Sequence, residues 1–352
     1  MGKVAIISRE SDSKTLDVSM LEAELLSRGL EVKVLSRLLT KDLSLKTLGY
    51  AAELLRQEAA ILGSDVVVLD TYCIPASMLP HPEKTTVIQM WHALSAIKKF
   101  GWQTAGMKDG TSLKTARIMR MHNGYDFVIS ASDITAEHFC EAFRVSRNRI
   151  VKCGLPRIDY IKSVSGGDRH DETARKIYAA YPQLAKSGKK TVLYAPTFRR
   201  GQAVDVKSLA DALDPDRYDL VVKLHPLYRA GDEEAAGPHV IYDDRFMSYD
   251  WLAAADILIS DYSSFVTESS LAGIPLYLYT YDMDSYAEST GLNIDFASEP
   301  IGKYAFRNAS CLAEALGQPY DFKALQAFRD RYIDIDTENC TSNLADLIES
   351  LI

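Results

Sequence analysis

The stretch Ile257-Leu258-Ile259-Ser260-Asp261-Tyr262-Ser263-Ser264-Phe265-Val266-Thr267-Glu268 decides how this chain folds. Ile257–Ser260 reads as a strand that breaks into a small polar turn. A helix from about Ser264 to Ala272 follows, Gly273-Ile274-Pro275 stops it, and Leu276–Tyr279 begins another strand. Short apolar runs without polar alternation, separated by helices, are what a parallel sheet covered on both faces requires.

Working outward, the same alternation continues in both directions. Thr191–Ala195, Leu220–Leu224 and Val240–Tyr242 read as strands, with a helix over Val206–Leu213. In the first half the strand candidates are Val4–Ser8, Glu31–Leu35, Asp65–Leu69, Thr85–Met90, Phe127–Ser130 and Ile150–Cys153. Between them Leu21, Leu25 and Leu26 fall on one helical face. Leu48, Ala52, Leu55, Ala59 and Leu62 step by four and three residues, a helix that ends at Gly63. Ser163–Glu172 has almost no apolar content and reads as a linker. The expected architecture is α/β, with two Rossmann-like doubly wound domains facing a cleft. They span 1–162 and 173–335, and 336–352 forms a C-terminal helix that packs back on the N-terminal domain. Ligands of such sheets bind beyond the carboxyl ends of the strands.

Bulk composition narrows the function classes. The 352 residues, 47% of them hydrophobic, suit two cored domains. A net charge of −8 argues against a general nucleic-acid binder, which needs a dominant basic face. Cys73, Cys140, Cys153, Cys311 and Cys340 are scattered without a CxxC pair, so reduced cytoplasmic thiols are expected rather than a zinc site or a disulfide framework. Val4–Ile7 is too short for a signal peptide, and no apolar run reaches about 18 residues.

Several residues at strand ends carry candidate chemistry. Ser263 and Ser264 would cap the helix after Ile257–Ser260 and leave amides and hydroxyls for an anion, although plain capping explains them equally well. Glu268, one turn further in, would repel phosphate and suits neutral ribose or polyol hydroxyls better. His92 and His225 each follow a strand, one in each half, where an imidazole can take a proton from an attacking hydroxyl. A packed or capping histidine is the plain alternative for either. Lys223 lies two residues before His225, on the same face if the strand continues. Thr197-Phe198-Arg199-Arg200 extends a strand into a loop whose guanidinium forks suit phosphate. Arg157 would hold phosphate or pair with Asp159. From Lys98 to Arg120 six positive residues (Lys98, Lys99, Lys108, Lys114, Arg117, Arg120) meet one negative, Asp109. That segment would touch anionic lipid headgroups, guide a phosphate-bearing acceptor, or simply be a solvated basic loop.

Taken in order, Trp91-His92, Gly154-Leu155-Pro156-Arg157-Ile158-Asp159, Leu193-Tyr194-Ala195-Pro196-Thr197-Phe198-Arg199, Lys223-Leu224-His225-Pro226 and Ser260-Asp261-Tyr262-Ser263-Ser264 resemble the CDP-glycerol:poly(glycerophosphate) glycerophosphotransferase family. The resemblance runs from about Thr85 to the C-terminus. It implies the glycosyltransferase-B fold, with an N-terminal acceptor domain and a C-terminal CDP-donor domain. It also implies transfer of glycerol phosphate or ribitol phosphate from a CDP-polyol to a hydroxyl of a prenyl-diphosphate-linked acceptor, in teichoic acid or capsule synthesis, with release of CMP. By the same resemblance His92 is the base, and His225 steadies the transferring pyrophosphate. Ser263 and Ser264 hold donor phosphate, with Arg199 near. The cofactor position is empty but for a Mg²⁺ travelling with the donor. The expected location is cytoplasmic, peripheral on the inner face of the plasma membrane. A nucleotide-sugar glycosyltransferase on the same fold and a non-catalytic paralogue are the rival expectations.

Overall fold

The computed structural model of the chain describes residues 2–38, 47–108, 110–199, 203–225, 237 and 239–352. The chain divides into two compact units. Unit 1 comprises Met1–Asp159, Ser289–Gly291 and Tyr332–Ile352, and unit 2 comprises Tyr160–Glu288 and Leu292–Arg331.

Unit 1 is built on β1 (Lys3–Ser8), β2 (Glu31–Ser36), β3 (Val66–Leu69), β4 (Thr86–Gln89), β5 (Phe127–Ser130) and β6 (Ile150–Lys152). They form one sheet in the order β2-β1-β3-β4-β5-β6, and every pair is parallel. Ala5, Ile6 and all of Val66–Leu69 are fully buried, which is why they read as unbroken apolar runs. The chain returns to this unit at its end. Asp159 accepts hydrogen bonds from the amides of Cys340 (2.9 Å) and Thr341 (2.8 Å) and so caps the helix Cys340–Glu349. Arg28, just past the helix Leu16–Ser27, ties the other end through Asp346 and Glu349.

Unit 2 contains β7 (Lys190–Tyr194), β8 (Tyr218–Val222), β9 (Val240–Tyr242), β10 (Ile257–Ser260), β11 (Leu276–Tyr279) and β12 (Ala305–Phe306). The order is β12-β11-β10-β7-β8-β9, again entirely parallel. In each sheet the winding reverses once, between β1 and β3 in unit 1 and between β7 and β10 in unit 2. A reversal of this kind leaves a crevice at the carboxyl ends of the two strands that flank it.

The structure corrects the sequence reading in two places. The polar stretch taken as a linker is half helical: the helix Arg157–Val164 enters it, His170–Ala180 leaves it, and turns over 165–169 join them. Its charges lie on an exposed helix face, where Glu172 and Lys176 pair one turn apart. β8 stops at Val222, two residues earlier than expected. Asp243 follows β9 directly. Its buried carboxylate accepts from the Tyr181 hydroxyl, the Trp251 indole, the Arg245 amide and the Lys223 ammonium. Burial works against ionisation there, but the hydrogen bonds led by Tyr181 outweigh it and hold the carboxyl below its usual range.

Replacing Asp243 with Ala leaves Lys223 and two aromatic donors without their acceptor. Urea unfolding should show a loss of about 3 kcal/mol. Because the folded-state pKa is depressed, that stability is present above the unfolded-state pKa of about 4 and fades as pH falls through the folded-state value. The gap between the two proteins should therefore narrow in acid. A gap that is constant down to low pH would contradict the assigned network.

Candidate functional site

Unit 1 carries one cluster at its switch point. Asp70 is the first residue after β3 and is 1% exposed, yet neither carboxylate oxygen has a properly formed hydrogen bond among the described residues. Burial pushes its carboxyl up to about 6, while the Ser8 hydroxyl and the His92 ring pull the other way. His92, past the end of β4, brings Nδ1 to 2.9 Å from the Asp70 backbone carbonyl and 3.7 Å from the Glu10 carboxylate. A carbonyl can only accept, so this contact requires the proton on Nδ1 and leaves Nε2 as the lone pair of the neutral ring. The ring is 34% exposed on its side chain. Trp91 holds it in place, with centroids 4.1 Å from His92 and 4.6 Å from Phe100. Trp91 itself adopts φ 63°, a left-handed conformation that a bulky residue rarely takes.

Unit 2 carries the second cluster, in the loops after β7 and β10. The fully buried Asp261 accepts from the Thr197 amide (2.9 Å), the Tyr262 amide (2.6 Å) and Arg199. Arg199 also reaches Asp282 (2.9 Å) and the Thr197 carbonyl (2.6 Å). Its guanidinium is thus held by two carboxylates, among the rings of Tyr262, Tyr281 and Tyr286. The Thr197 hydroxyl is buried with no partner among the described residues. Ser263 accepts from the Phe265 amide at 3.3 Å, whereas Ser264 caps nothing with its side chain, contrary to the capping expectation. The helix there is short, Phe265–Ser269, and tightens into a 3₁₀ turn over Ser270–Ala272. Both serines stay partly accessible.

Other expected site residues are placed differently. Arg157 pairs with Asp17 rather than Asp159, through its amide (2.7 Å) and Nε (2.8 Å), because Asp159 is committed to the helix Cys340–Glu349. With β8 ending at Val222, the two-residue periodicity no longer joins Lys223 to His225. Lys223 turns to Asp243 at 3.0 Å, and the exposed His225 ring lies 5.7 Å from that of Phe198. Glu268 is 1% exposed and accepts from the Tyr249 hydroxyl, so it belongs to the wall rather than to an accessible surface. Asp109, Arg200 and Pro226 lie outside the described residues. Among the described residues no cluster of His, Cys, Asp or Glu could hold a metal ion, and no helix is long and apolar enough to cross a membrane. Asp70 and Asp261 were the residues missed. Each is the first residue past a buried strand, a position that could have singled them out.

Two doubly wound parallel units in one chain are the architecture of the glycosyltransferase-B fold. The chain belongs to the CDP-glycerol:poly(glycerophosphate) glycerophosphotransferase family, whose sequence profile matches residues 19–350. It is 32% identical over 302 residues to the teichoic acid ribitol-phosphate primase of Bacillus spizizenii, covering 82% of this chain and 75% of that protein. It is 30% identical over 298 residues to the teichoic acid glycerol-phosphate primase of Bacillus subtilis, covering 83% and 75%. Among solved structures it is similar to the wall teichoic acid polymerase TagF, with a TM-score of 0.71 at 18% identity over 99% of this chain and 88% of that one. The expected family and fold class are therefore met.

Two variants probe these crevices. Asp70 is held above its unfolded-state pKa of about 4, so the native state loses stability as pH rises from there through about 6. Asp70→Asn should be more stable than wild type by roughly 2–3 kcal/mol at pH 8 and indistinguishable from it near pH 4, measured by urea unfolding. An equal difference at both pH values would show that Asp70 ionises unhindered. Thr197→Val removes an unsatisfied hydroxyl at constant shape, so stability should hold or rise by up to about 1 kcal/mol. A loss above about 2 kcal/mol in thermal unfolding would mean the hydroxyl has a partner after all.

Proposed function

We propose that this chain transfers glycerol phosphate or ribitol phosphate from a CDP-polyol to a hydroxyl of a prenyl-diphosphate-linked acceptor, in teichoic acid or capsule synthesis at the inner face of the plasma membrane. The observation that carries the reading is His92. Its tautomer is set by a backbone carbonyl, and its Nε2 lone pair is free at the end of a sheet whose winding reverses beside it. Family membership and the similarity to both a ribitol-phosphate and a glycerol-phosphate primase support the donor class without choosing the polyol.

In this reading the acceptor hydroxyl gives its proton to His92 Nε2 as its oxygen bonds to the phosphorus that bears the polyol. The bond from that phosphorus to the bridging oxygen breaks, and CMP leaves with the electron pair. Thr197, Ser263 and Ser264 offer neutral hydrogen-bond donors to the diphosphate, and His225 steadies its developing charge. Arg199 and Lys223 act at one remove, because their charges are bound by Asp261 and Asp282 and by Asp243. Arg157 locks the loop after β6 onto Asp17, and Glu268 braces the wall behind Ser264. Catalysis then rests on positioning and charge stabilisation, as in other phosphoryl transfers.

CMP release should appear with CDP-glycerol or CDP-ribitol plus a prenyl-diphosphate-linked saccharide, and His92→Ala should lower turnover at least about 100-fold while donor binding is retained. Turnover of a UDP-hexose in place of both CDP-polyols would replace this reading with a glycosyltransferase. Near-wild-type turnover by His92→Ala would remove His92 as the base.

A further inference from the structure

Unit 1 also has a concavity of about 630 Å³, whose wall shares His122 and Phe143 with the aromatic cluster around Trp91. Arg117, Arg120, Arg144 and Arg149 line it, with Trp102 and Phe143 in its apolar wall. Arg149 is already committed, donating to the Tyr125 carbonyl and lying 3.9 Å from Asp126. Arg117, Arg120 and Arg144 have no hydrogen-bonded or ion-paired partner among the described residues. All three are exposed side chains, unlike Arg157, Arg199 and Lys223, whose charges are held by acids. Three exposed guanidinium groups with no paired acid among the described residues thus converge on one hollow in a protein of net charge −8.

The cluster is also built at a conformational cost. Arg120 (φ 45°), His122 (φ 59°) and Arg144 (φ 55°) all line the hollow, and they are three of the five non-glycine residues with positive φ among those described. Such backbone costs of order 1 kcal/mol each and collects at functional sites. Arg144 is held with Cζ 3.5 Å above the Trp102 ring, and that ring is fixed by its Nε1 donating to the Met121 carbonyl at 2.7 Å. Stacking leaves the in-plane donors of the guanidinium free. His122 adds no charge, since burial, with some help from the His92 ring, lowers its pKa to about 3.

We infer that this hollow is a phosphate-binding pocket, taking a phosphomonoester or diphosphate group into the forks of Arg117, Arg120 and Arg144 with Trp102 as its fixed wall. Planar forks match phosphate oxygens bidentately, which a lysine patch would not do. The group is either free in solution or carried on a lipid headgroup. The inference is independent of the transfer reaction, because it concerns binding alone.

The test titrates the full chain with inorganic pyrophosphate by calorimetry, and in parallel sediments it with phosphatidylcholine vesicles with and without phosphatidylglycerol. Saturable binding of pyrophosphate supports the pocket with a soluble ligand, and binding only to the phosphatidylglycerol vesicles supports it with a lipid headgroup. In either arm Arg120→Gln and Arg144→Gln should each weaken binding about 10-fold and together about 100-fold. Arg144→Lys should recover little, because charge without the fork is not enough. Should a backbone-strained position fail to fold, the exposed Arg117→Gln on the helix Leu113–Ile118 carries the same expectation. Arg307→Gln, a surface cation paired with Asp284, should leave binding unchanged. No binding of either probe by wild type, or equal binding by the pocket variants and Arg307→Gln, would overturn the pocket.

Discussion

Where a parallel sheet reverses its winding, the helices that follow the two flanking strands leave toward opposite faces, and nothing in the regular structure covers the strand ends between them. Everything chemical in this chain follows from that gap. The strands themselves admit no function, because β3, β7 and β10 are buried along nearly their whole length. Polar groups can enter only past the last ladder hydrogen bond, and they do so at once. Asp70 follows Leu69 and Asp261 follows Ser260 directly, while Thr197 and His92 lie three residues beyond their strands. The sheet interior thus sets both where these side chains stand and how few they can be.

The two crevices handle charge in opposite ways. In unit 2 the Asp261 carboxylate gathers two amides and Arg199, and Asp282 takes the rest of the guanidinium. A buried ion network of this kind adds little net stability over an apolar packing, but it allows only one arrangement of the loops it joins. It also takes up the charge of Arg199, so among the described residues these loops offer hydroxyls and amides beside the exposed His225. The Thr197 hydroxyl, without a partner among the described residues, is one such group. In unit 1 the balance is reversed. Desolvation of Asp70 outweighs what the Ser8 hydroxyl and the His92 ring offer it, and three exposed arginines further along the same unit have no paired acid among the described residues. A carboxyl held against desolvation is a group that a chain selected for stability alone would have little reason to retain.

How far the sequence could be read depended on range. Strands such as Phe127–Ser130, Ile257–Ser260 and Leu276–Tyr279 were legible to the residue, because continuous apolar composition reports two-sided burial directly. The two-residue β12 carries too little pattern to be seen. The stretch 163–172 looked like a linker because a solvated helix and a loop share a composition. Pairings failed most often. Arg157 appeared to face Asp159, two residues away, but its partner Asp17 is 140 positions distant and is delivered by the fold. Lys223 and Arg199 were likewise visible as cations, whereas the acids that bind them became visible only with the topology. The strand-end position of His92 was legible, but the carbonyl that sets its tautomer was not.

That tautomer depends in turn on a strained residue. Trp91 in the left-handed region costs about 1–2 kcal/mol relative to an extended backbone. Relaxing it would rotate the chain just before His92 and carry Nδ1 away from the Asp70 carbonyl. Three contacts oppose the relaxation. The Gln89 side chain accepts from the Trp91 amide at 2.9 Å, Phe100 stacks on the indole at 4.6 Å, and Phe143 meets its face edge-on at 5.2 Å. Aromatic pairs of this kind are each worth about 0.5–1.5 kcal/mol beyond simple burial, enough together to hold the strained conformer. The residues that fix the proton on His92 are therefore mostly apolar. Much of the site's acid–base chemistry is set by packing behind it, where no titratable motif would direct attention.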